Sequence, residues 1–129
     1  MKTDDAARRW AQTWQRGWNE LDTDAVVALY STNATLSSEP FREPYIGREG
    51  VRSYVSQVFA EEEAVDARFG EPIAGDGRAA VPWWATLVED GAPITLAGTS
   101  LLRFGDDGLE IEQWDTWNQA NEQVQEKLP

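Results

Sequence analysis

The chain has 129 residues, of which 41% are hydrophobic, so it is long enough for one domain with a core that needs no disulfide bond. It contains no cysteine and no histidine, which excludes a thiol nucleophile, a Ser-His-acid triad and most zinc sites, and leaves acid–base chemistry to Asp, Glu, Tyr or Lys. Its net charge of -12 argues against a nucleic acid partner, because binding to phosphates requires clustered Lys and Arg.

The first predicted element is an amphipathic helix that begins near Thr3, with Asp4 and Asp5 at the positive end of its dipole. Four large apolar residues follow at helical spacing: Trp10, Trp14, Trp18 and Leu21. This stripe either packs on a sheet or lines a pocket, and Trp14 is our candidate for the pocket. The acidic N-terminus does not resemble a signal peptide, and no apolar run could span a membrane, so we expect a soluble cytoplasmic protein.

A second, shorter helix is predicted to start at Asp22, with its apolar side supplied by Val26, Val27, Leu29 and Tyr30. A short strand over 34–37 and a proline-containing loop over 38–46 follow. Loops with large side chains often border a site, which makes Phe41 a candidate for contact with a ligand. Arg42 in the same loop either meets an anionic ligand or is solvated.

Gly47 leads into a third helix, predicted to run through Glu62, whose apolar face is Val51, Tyr54, Val55, Val58 and Phe59. The run Glu61-Glu62-Glu63 does not predict a metal site, because neighbours on a helix diverge, and we interpret it as a solvated helix end. Gly47 and Gly50 lack the strand and the lysine of a phosphate-binding loop. We therefore expect neither a metal nor a cofactor.

Four strands are predicted after the helices. Val65, Ala67 and Phe69 alternate with polar residues in the first. The segments 78–89, 94–104 and 109–117 then form an antiparallel meander, with acidic-glycine turns between them. Residues 120–129 are polar and aperiodic, which predicts a loose tail after an ordered core over about 4–119.

Two features of the meander indicate whether its inward face could border a ligand cavity. Pro82 disturbs the strand pattern and leaves open whether Trp83 or Trp84 faces inward. In the next strand, Gly98 and Ser100 are small residues on the inward face. They leave room, and room on an inward face is what a ligand cavity needs.

The final strand carries the main candidate for chemistry, Asp115. The two-residue period of a strand places two apolar residues on the core side and two acids in water: Leu109 and Ile111, and Glu110 and Glu112. If the same alternation continues along the strand, three later residues also face inward: Gln113, Asp115 and Trp117. A carboxylate in an apolar interior is hydrogen-bonded, has a raised pKa or lines a cavity. Asp115 is thus a functional group or a hydrogen-bonded structural acid, and a one-residue bulge would turn it outward.

Three helices followed by a curved four-stranded meander, with Trp-Asp in its last strand, resemble the nuclear transport factor 2-like superfamily and its SnoaL-like group. The segments that carry the resemblance span nearly the whole chain: Ala25–Tyr30, Gly47–Val51, Leu96–Phe104 and Glu112–Asp115. The resemblance implies an α+β fold in which a cone-shaped, curved antiparallel sheet packs against three N-terminal helices. This fold hosts isomerases, cyclases, dehydratases, epoxide hydrolases and proteins with no known chemistry, so it leaves the function open.

The resemblance also implies roles for residues. In SnoaL-like polyketide cyclases the final strand is similar to Glu-His-Trp-Asp, and its aspartate is the base in an aldol ring closure. Asp115 matches that aspartate, while Gln113 stands in place of the histidine. The Asp-Arg-Asp set of epoxide hydrolases is not matched, because Arg103 is predicted to point away from Asp115. A ketosteroid isomerase-like site would use Tyr30 or Tyr54, but no second inward acid is evident.

We therefore predict a single domain that binds an apolar or aromatic small molecule, with Asp115 as a general base beside a carbonyl, as in a cyclase or isomerase, or as a hydrogen-bond acceptor. The candidate cavity residues are Trp14, Tyr30, Phe41, Tyr54, Trp83, Ser100, Gln113 and Trp117. The alternatives are a non-catalytic binding module and a structural dimerisation domain whose own tryptophans fill the cavity. The resemblance also implies a homodimer through the outer sheet face, near Trp114, Thr116 and Trp84.

Overall fold

The computed structural model describes residues 1–129 and contains three helices and seven strands. The helices are α1 (Thr3–Glu20), α2 (Thr23–Val27) and α3 (Gly47–Ala60). The strands are β1 (Tyr30–Ser37), β2 (Tyr45–Ile46), β3 (Glu62–Phe69), β4 (Ile73–Gly75), β5 (Arg78–Glu89), β6 (Ala92–Phe104) and β7 (Glu110–Ala120). The predicted α+β class is confirmed.

The strands form one curved, open sheet in the order β2-β1-β7-β6-β5-β3, and β4 pairs with β5 beside β3. Strands β5, β6 and β7 are the predicted antiparallel meander. The sheet is mixed rather than wholly antiparallel, because β1 runs parallel to β7. Turn signals in a sequence report only neighbouring strands, so the pairing of an early strand with the last one was not predictable from them.

Several element ends differ from the predicted ones. Helix α2 ends at Val27, and Leu29 and Tyr30 lie outside it, with Tyr30 opening β1. Leu21 adopts a left-handed conformation that ends α1 and is 40% exposed, so it does not continue the tryptophan stripe. Helix α3 stops at Ala60, and Glu62 is the first residue of β3 rather than part of a helix.

Trp83, not Trp84, faces the interior. Trp83 is buried, whereas Trp84 is half-buried on the outer face of β5. Pro82 is not in a bulge but lies at a locally unpaired edge of β5, with β6 on one side and no ladder partner on the other. Its missing N–H falls between the last residue of β5 that pairs with β4, Ala80, and the first that pairs with β3, Trp83. The proline therefore costs the sheet no ladder hydrogen bond.

Gly98 does not leave the empty space that its position suggested. It lies opposite Trp117 in the register of β6 and β7, and a Cβ at residue 98 would come within 2.6 Å of the Cβ of Trp117 and closer still to the carbonyl oxygen of Thr116. The two strands approach each other at this point only because residue 98 has no side chain.

We expect the substitution Gly98→Ala to lower the free energy of unfolding by about 3 kcal/mol, since backbone atoms must shift to admit the methyl group. Chemical denaturation monitored by circular dichroism would measure the change. Gly75→Ala is the matched control, because no atom lies within 4 Å of a Cβ at that position. Equal stabilities of the two variants would contradict this interpretation of Gly98.

The core lies between α1 and the concave face of the sheet. The three tryptophans of α1 are buried and pack edge-on and tilted against aromatic side chains from α3, β3 and β5: Phe59, Phe69 and Trp83. Gly17 allows this helix to sit close to α2, because a Cβ there would meet Val26 at 2.6 Å. An indole N–H that is buried usually finds an acceptor, and the acceptors that these tryptophans use define the site.

The C-terminal tail has no helix or strand after Ala120 but is attached to the outer sheet face. The indole N–H of Trp84 donates to the carbonyl of Val124 (2.9 Å), the hydroxyl of Thr95 donates to the carbonyl of Glu122 (2.8 Å), and the N–H of Val124 donates to that hydroxyl (2.9 Å).

None of the helices is both long and apolar enough to cross a membrane.

Candidate functional site

A cavity of about 370 Å³ lies between the helices and the concave face of the sheet, within the range of sites for small molecules. Its apolar wall is mostly aromatic: Trp10, Trp14, Trp18, Tyr45, Tyr54, Phe59, Phe69, Trp83 and Trp117. Polar side chains line it from α3, β3, β5, β6 and β7 and from the loop after β1. The tryptophans line this space without filling it.

Asp115 lies in the wall of this cavity and is 7% exposed, so the inward orientation predicted from its strand period is confirmed. Its Oδ1 accepts hydrogen bonds from the hydroxyl of Ser100 (2.6 Å) and from Nε2 of Gln113 (3.0 Å). Oδ2 accepts only a hydrogen bond from the same Nε2 of Gln113, at 3.1 Å. Oδ2 is therefore the oxygen with lone pairs to spare.

The hydrogen bonds around Asp115 form a chain with a fixed direction. Trp14 donates to the hydroxyl of Tyr30 (3.0 Å), which donates to Oε1 of Gln113 (2.5 Å). On the other side, Trp83 donates to Ser100 (3.1 Å). An indole N–H can only donate, so both ends of the chain direct their protons toward the carboxylate. Asp115 is held as a hydrogen-bond acceptor.

Two effects of opposite sign set the protonation of Asp115. Burial raises the pKa of Asp115, the hydrogen bonds from Ser100 and Gln113 lower it, and together they shift it from 3.8 to about 6. The net effect is a carboxylate that is ionised near neutral pH but is more basic than an exposed aspartate. This is the range that suits a general base.

Glu62 is a second inward acid, and the sequence interpretation of a solvated helix end was wrong for it. Because α3 stops at Ala60, residue 62 belongs to β3, where strand geometry turns its side chain into the cavity with 7% exposure. Its Oε1 accepts from the indole of Trp18 at 2.7 Å, while no donor of the protein reaches Oε2. Burial, with the nearby charges of Glu89 and Glu61, raises the pKa of Glu62 from 4.5 to about 7.

Glu110 is a third inward acid, where the sequence predicted one in water. The pairing of β6 with β7 shifts between Arg103 and Phe104, and this bulge leaves Ile111 unpaired. Glu110 is consequently fully buried, and Leu109 and Ile111 are only half-buried. Its Oε2 accepts from Trp10 at 2.7 Å, its Oε1 has no partner, and burial raises its pKa well above the usual range. Glu110 does not reach the cavity.

Tyr54 projects from α3 into the cavity as predicted, and its ring lies 4.7 Å from that of Tyr45. Its hydroxyl has no hydrogen-bond partner within the protein. Burial, and then the charge of Asp115, raise its pKa, so the phenol keeps its proton. The hydroxyl of Tyr54 is therefore a hydrogen-bond donor without an acceptor in the protein, and the charge of Asp115 acts on it.

The remaining predicted residues fall into three groups. Trp14, Trp83, Ser100, Gln113 and Trp117 line the cavity as proposed, and Trp117 also fixes the 38–44 loop through a hydrogen bond to the carbonyl of Ser38 (2.7 Å). Tyr30 is fully buried behind Gln113 and acts on the site only through it. Phe41 does not line the cavity: the tight turn closed by the N–H of Arg42 and the carbonyl of Glu39 places it, fully exposed, at the loop tip.

The charges of the cavity are mostly negative. Its acidic residues are Glu39, Glu61, Glu62, Glu89 and Asp115, and Arg42 is its single basic residue. Arg42 is solvated at the mouth, where it pairs with Glu39 at 3.7 Å. Arg103 lies on the outer face and pairs with Glu112, so it points away from Asp115 as predicted. No three His, Cys, Asp or Glu side chains are placed to hold a metal ion.

The family model for the SnoaL-like domain matches residues 7–113, which is most of the chain. The chain belongs to the SnoaL-like family. The match covers α1 through the start of β7 and ends at Gln113, next to the Trp-Asp pair of the final strand. The resemblance drawn from the sequence is thereby confirmed.

Two solved structures share the fold of this SnoaL-like protein. The crystal structure of RV0760c from Mycobacterium tuberculosis has a TM-score of 0.78 at 15% sequence identity, with 93% of this chain and 98% of that chain covered. SalBIII, an epoxide hydrolase/cyclase-like enzyme with a role in pyran ring formation in the polyether salinomycin, has a TM-score of 0.76 at 20% identity, with coverages of 89% and 94%. At these identities the likeness establishes the nuclear transport factor 2-like fold and not the activity.

Proposed function

We propose that this SnoaL-like protein binds an apolar or aromatic carbonyl compound in its cavity and uses Asp115 as a general base to remove a proton next to the carbonyl. The observation that carries the proposal is one buried carboxylate, with an oxygen to spare, in the wall of an aromatic cavity. A cyclase or an isomerase would share this step. The epoxide hydrolase/cyclase-like role of SalBIII, on the same fold, is consistent with such chemistry.

The proposed step uses two residues of this chain. Oδ2 of Asp115 takes the proton from the carbon next to the carbonyl, and the electrons of that C–H bond form the enolate double bond. The carbonyl oxygen becomes an oxyanion, to which the unpartnered hydroxyl of Tyr54 donates a hydrogen bond. In an isomerisation the proton then returns at another carbon, whereas in a cyclisation the enolate carbon attacks a second carbonyl.

A substrate-independent test is deuterium incorporation. The protein would be incubated in D₂O with a panel of bicyclic aromatic ketones and diketones, and exchange next to the carbonyl would be followed by proton NMR. We expect exchange above the buffer rate for at least one compound that binds. Binding without exchange for every compound that binds would contradict the general-base role and favour the second candidate, a non-catalytic binding module.

The non-catalytic candidate has its own support in the structure. Asp115 already accepts hydrogen bonds from Ser100 and Gln113, and this is the arrangement of a structural acid that orients a ligand. In that case the carboxylate would accept a hydrogen bond from the bound molecule and no proton would be removed.

We also propose that the protein forms a homodimer through the outer face of the sheet. Leu101 and Trp114 lie opposite each other in the register of β6 and β7, and each is 44% exposed, which forms an apolar patch. Trp84 contributes less than expected because its indole is tied to Val124 of the tail.

We expect Trp114→Glu to weaken self-association by about 100-fold or more, because the change buries a charge in both copies of the interface. Sedimentation velocity over a range of protein concentrations would measure it. Leu21→Glu is the control, since Leu21 is an apolar residue of similar exposure (40%) at the end of α1, on the concave side of the sheet. Unchanged association in the Trp114 variant would place the interface elsewhere.

A further inference from the structure

The cavity has a second polar end, away from Asp115. Asp115 lies opposite Ser100, which pairs with Val81 of β5, whereas Glu62 pairs with Glu89 of the same strand. Residues 81 and 89 are eight positions apart along β5. A ligand that fills the cavity and reaches Asp115 can therefore place a different group against Glu62.

The orientation and the unpartnered oxygen of Glu62 suit it to bind a polar group of a ligand. Its side chain is more than nine-tenths buried and lines the cavity, and the hydrogen bond from Trp18 to Oε1 fixes its orientation. Oε2 receives no hydrogen bond from the protein. Unlike Oε1 of Glu110, which is buried and unpartnered, Oε2 of Glu62 is accessible from the cavity. A donor on a bound ligand can therefore reach it and form a charge-assisted hydrogen bond.

The surroundings of Glu62 select the charge of that group. Glu89 lies directly across the sheet from it, Glu61 precedes it, and both line the cavity. Carboxylates placed opposite each other repel, and no basic side chain of the cavity lies at this end, because Arg42 pairs with Glu39 at the mouth. An anionic group is disfavoured here and a cationic group would relieve the repulsion.

The aromatic walls favour the same kind of group. The ring of Trp18, whose N–H holds Glu62, lies 5.7 Å from the ring of Trp83 and 6.0 Å from that of Trp14. Indole faces attract organic cations, and cages of aromatic rings with a carboxylate bind substituted ammonium groups.

We propose that the natural ligand carries a protonated amine, which is bound by Oε2 of Glu62 among these aromatic rings while its apolar part extends toward Asp115. This inference rests on the proposed ligand-binding function and adds the ligand's charge and its orientation. It makes Glu62 a specificity-determining residue.

The test compares three probes with the same aromatic body at pH 8: a dimethylaminomethyl-naphthalene, its neutral methoxymethyl analogue and naphthylacetate. Isothermal titration calorimetry on the full chain would measure affinity. We expect the amine to bind at least about tenfold more tightly than the neutral analogue, and the anion more weakly than both. Equal affinities of the amine and the neutral analogue, or no binding of the amine, would overturn the proposal without any variant.

The variant Glu62→Gln should reduce the affinity of the amine to that of the neutral analogue and leave the neutral analogue within about twofold. Glu63→Gln is the matched control, because it removes the same charge one residue away on the exposed side of β3. Equal effects of both variants would show that overall charge, not Glu62, attracts the amine and would overturn the assignment. Deuterium exchange of a neutral ketone tests the role of Asp115 separately, so the two proposals can fail independently.

Discussion

Replacing Asp115 by asparagine is expected to reduce catalysed deuterium exchange by about a hundred- to ten-thousandfold, the contribution typical of a positioned general base. The amide has nearly the shape of the carboxylate, and its oxygen can still accept the hydrogen bonds that Ser100 and Gln113 give to Oδ1. We therefore expect the variant to fold and to bind neutral aromatic ketones. What it lacks is a basic oxygen that can take up a proton.

The measurement is the exchange rate of a ketone that wild-type protein deuterates, compared at equal occupancy of the cavity. Glu112→Gln is the matched control on the same strand, because Glu112 is exposed on the outer face and pairs with Arg103. Only the Asp115 variant should lose exchange. Full exchange in that variant, with the ketone bound, would contradict the assignment of Asp115 as the base.

The second large effect concerns the stability of the protein as a function of pH. The folded state raises the pKa of Glu62 from 4.5 to about 7, so the folded protein holds this proton more tightly than the unfolded chain does. Stability is therefore greatest below pH 4.5 as far as this group is concerned, and it falls as pH rises through about 7. A shift of this size corresponds to about 3 kcal/mol.

We expect the substitution Glu62→Gln to remove the part of the stability loss at high pH that is due to Glu62. The amide oxygen can still accept the hydrogen bond from Trp18, and no charge has to be buried. The difference in unfolding free energy between the variant and the wild-type protein should grow by about 3 kcal/mol in favour of the variant between pH 4.5 and pH 8. Urea denaturation at a series of pH values would measure it.

Taking the difference between variant and wild type is necessary because Asp115 and Glu110 are also buried acids with raised pKa values. Both contribute a loss of stability with rising pH that the Glu62 variant retains. Glu63→Gln serves again as the control, because it removes the same charge from the exposed side of β3. A flat difference for Glu62→Gln would mean that this carboxyl group is hydrated in solution.

The fold could be predicted from the sequence because its signals are local. The spacing of the tryptophans indicates α1, and acidic-glycine turns between alternating segments indicate the meander of β5, β6 and β7. The parallel pairing of β1 with β7 depends on contacts between residues far apart in the chain. No local pattern reports such a contact, and the sheet was therefore expected to be antiparallel throughout.

The site could be predicted in part for the same reason. The regular alternation from Glu112 onward places Asp115 on the inward face, as expected. The bulge at Ile111 interrupts this alternation, so Glu110 is buried where the sequence predicted a solvent-exposed acid. Glu62 was missed because helix ends are uncertain by a few residues, and at this position those residues decide between solvent and cavity.

One signal in the sequence pointed to the missed acids. The three tryptophans of α1 are spaced to be buried together, and each buried indole N–H needs an acceptor. Trp10 uses Glu110, Trp14 uses Tyr30 and Trp18 uses Glu62. A search for inward acceptors, one for each tryptophan, would have suggested more inward polar groups than Asp115 alone.

The most direct measurement is a titration of the Asp115 side-chain carboxyl by carbon-13 NMR, with the Asp115→Asn spectrum to identify its resonance. A carboxylate in the wall of an apolar cavity should titrate near pH 6 in the free protein, and its midpoint should rise further when an aromatic ketone displaces water from the cavity. A midpoint near pH 4 that does not respond to the ketone would show that Asp115 faces solvent and not a binding cavity.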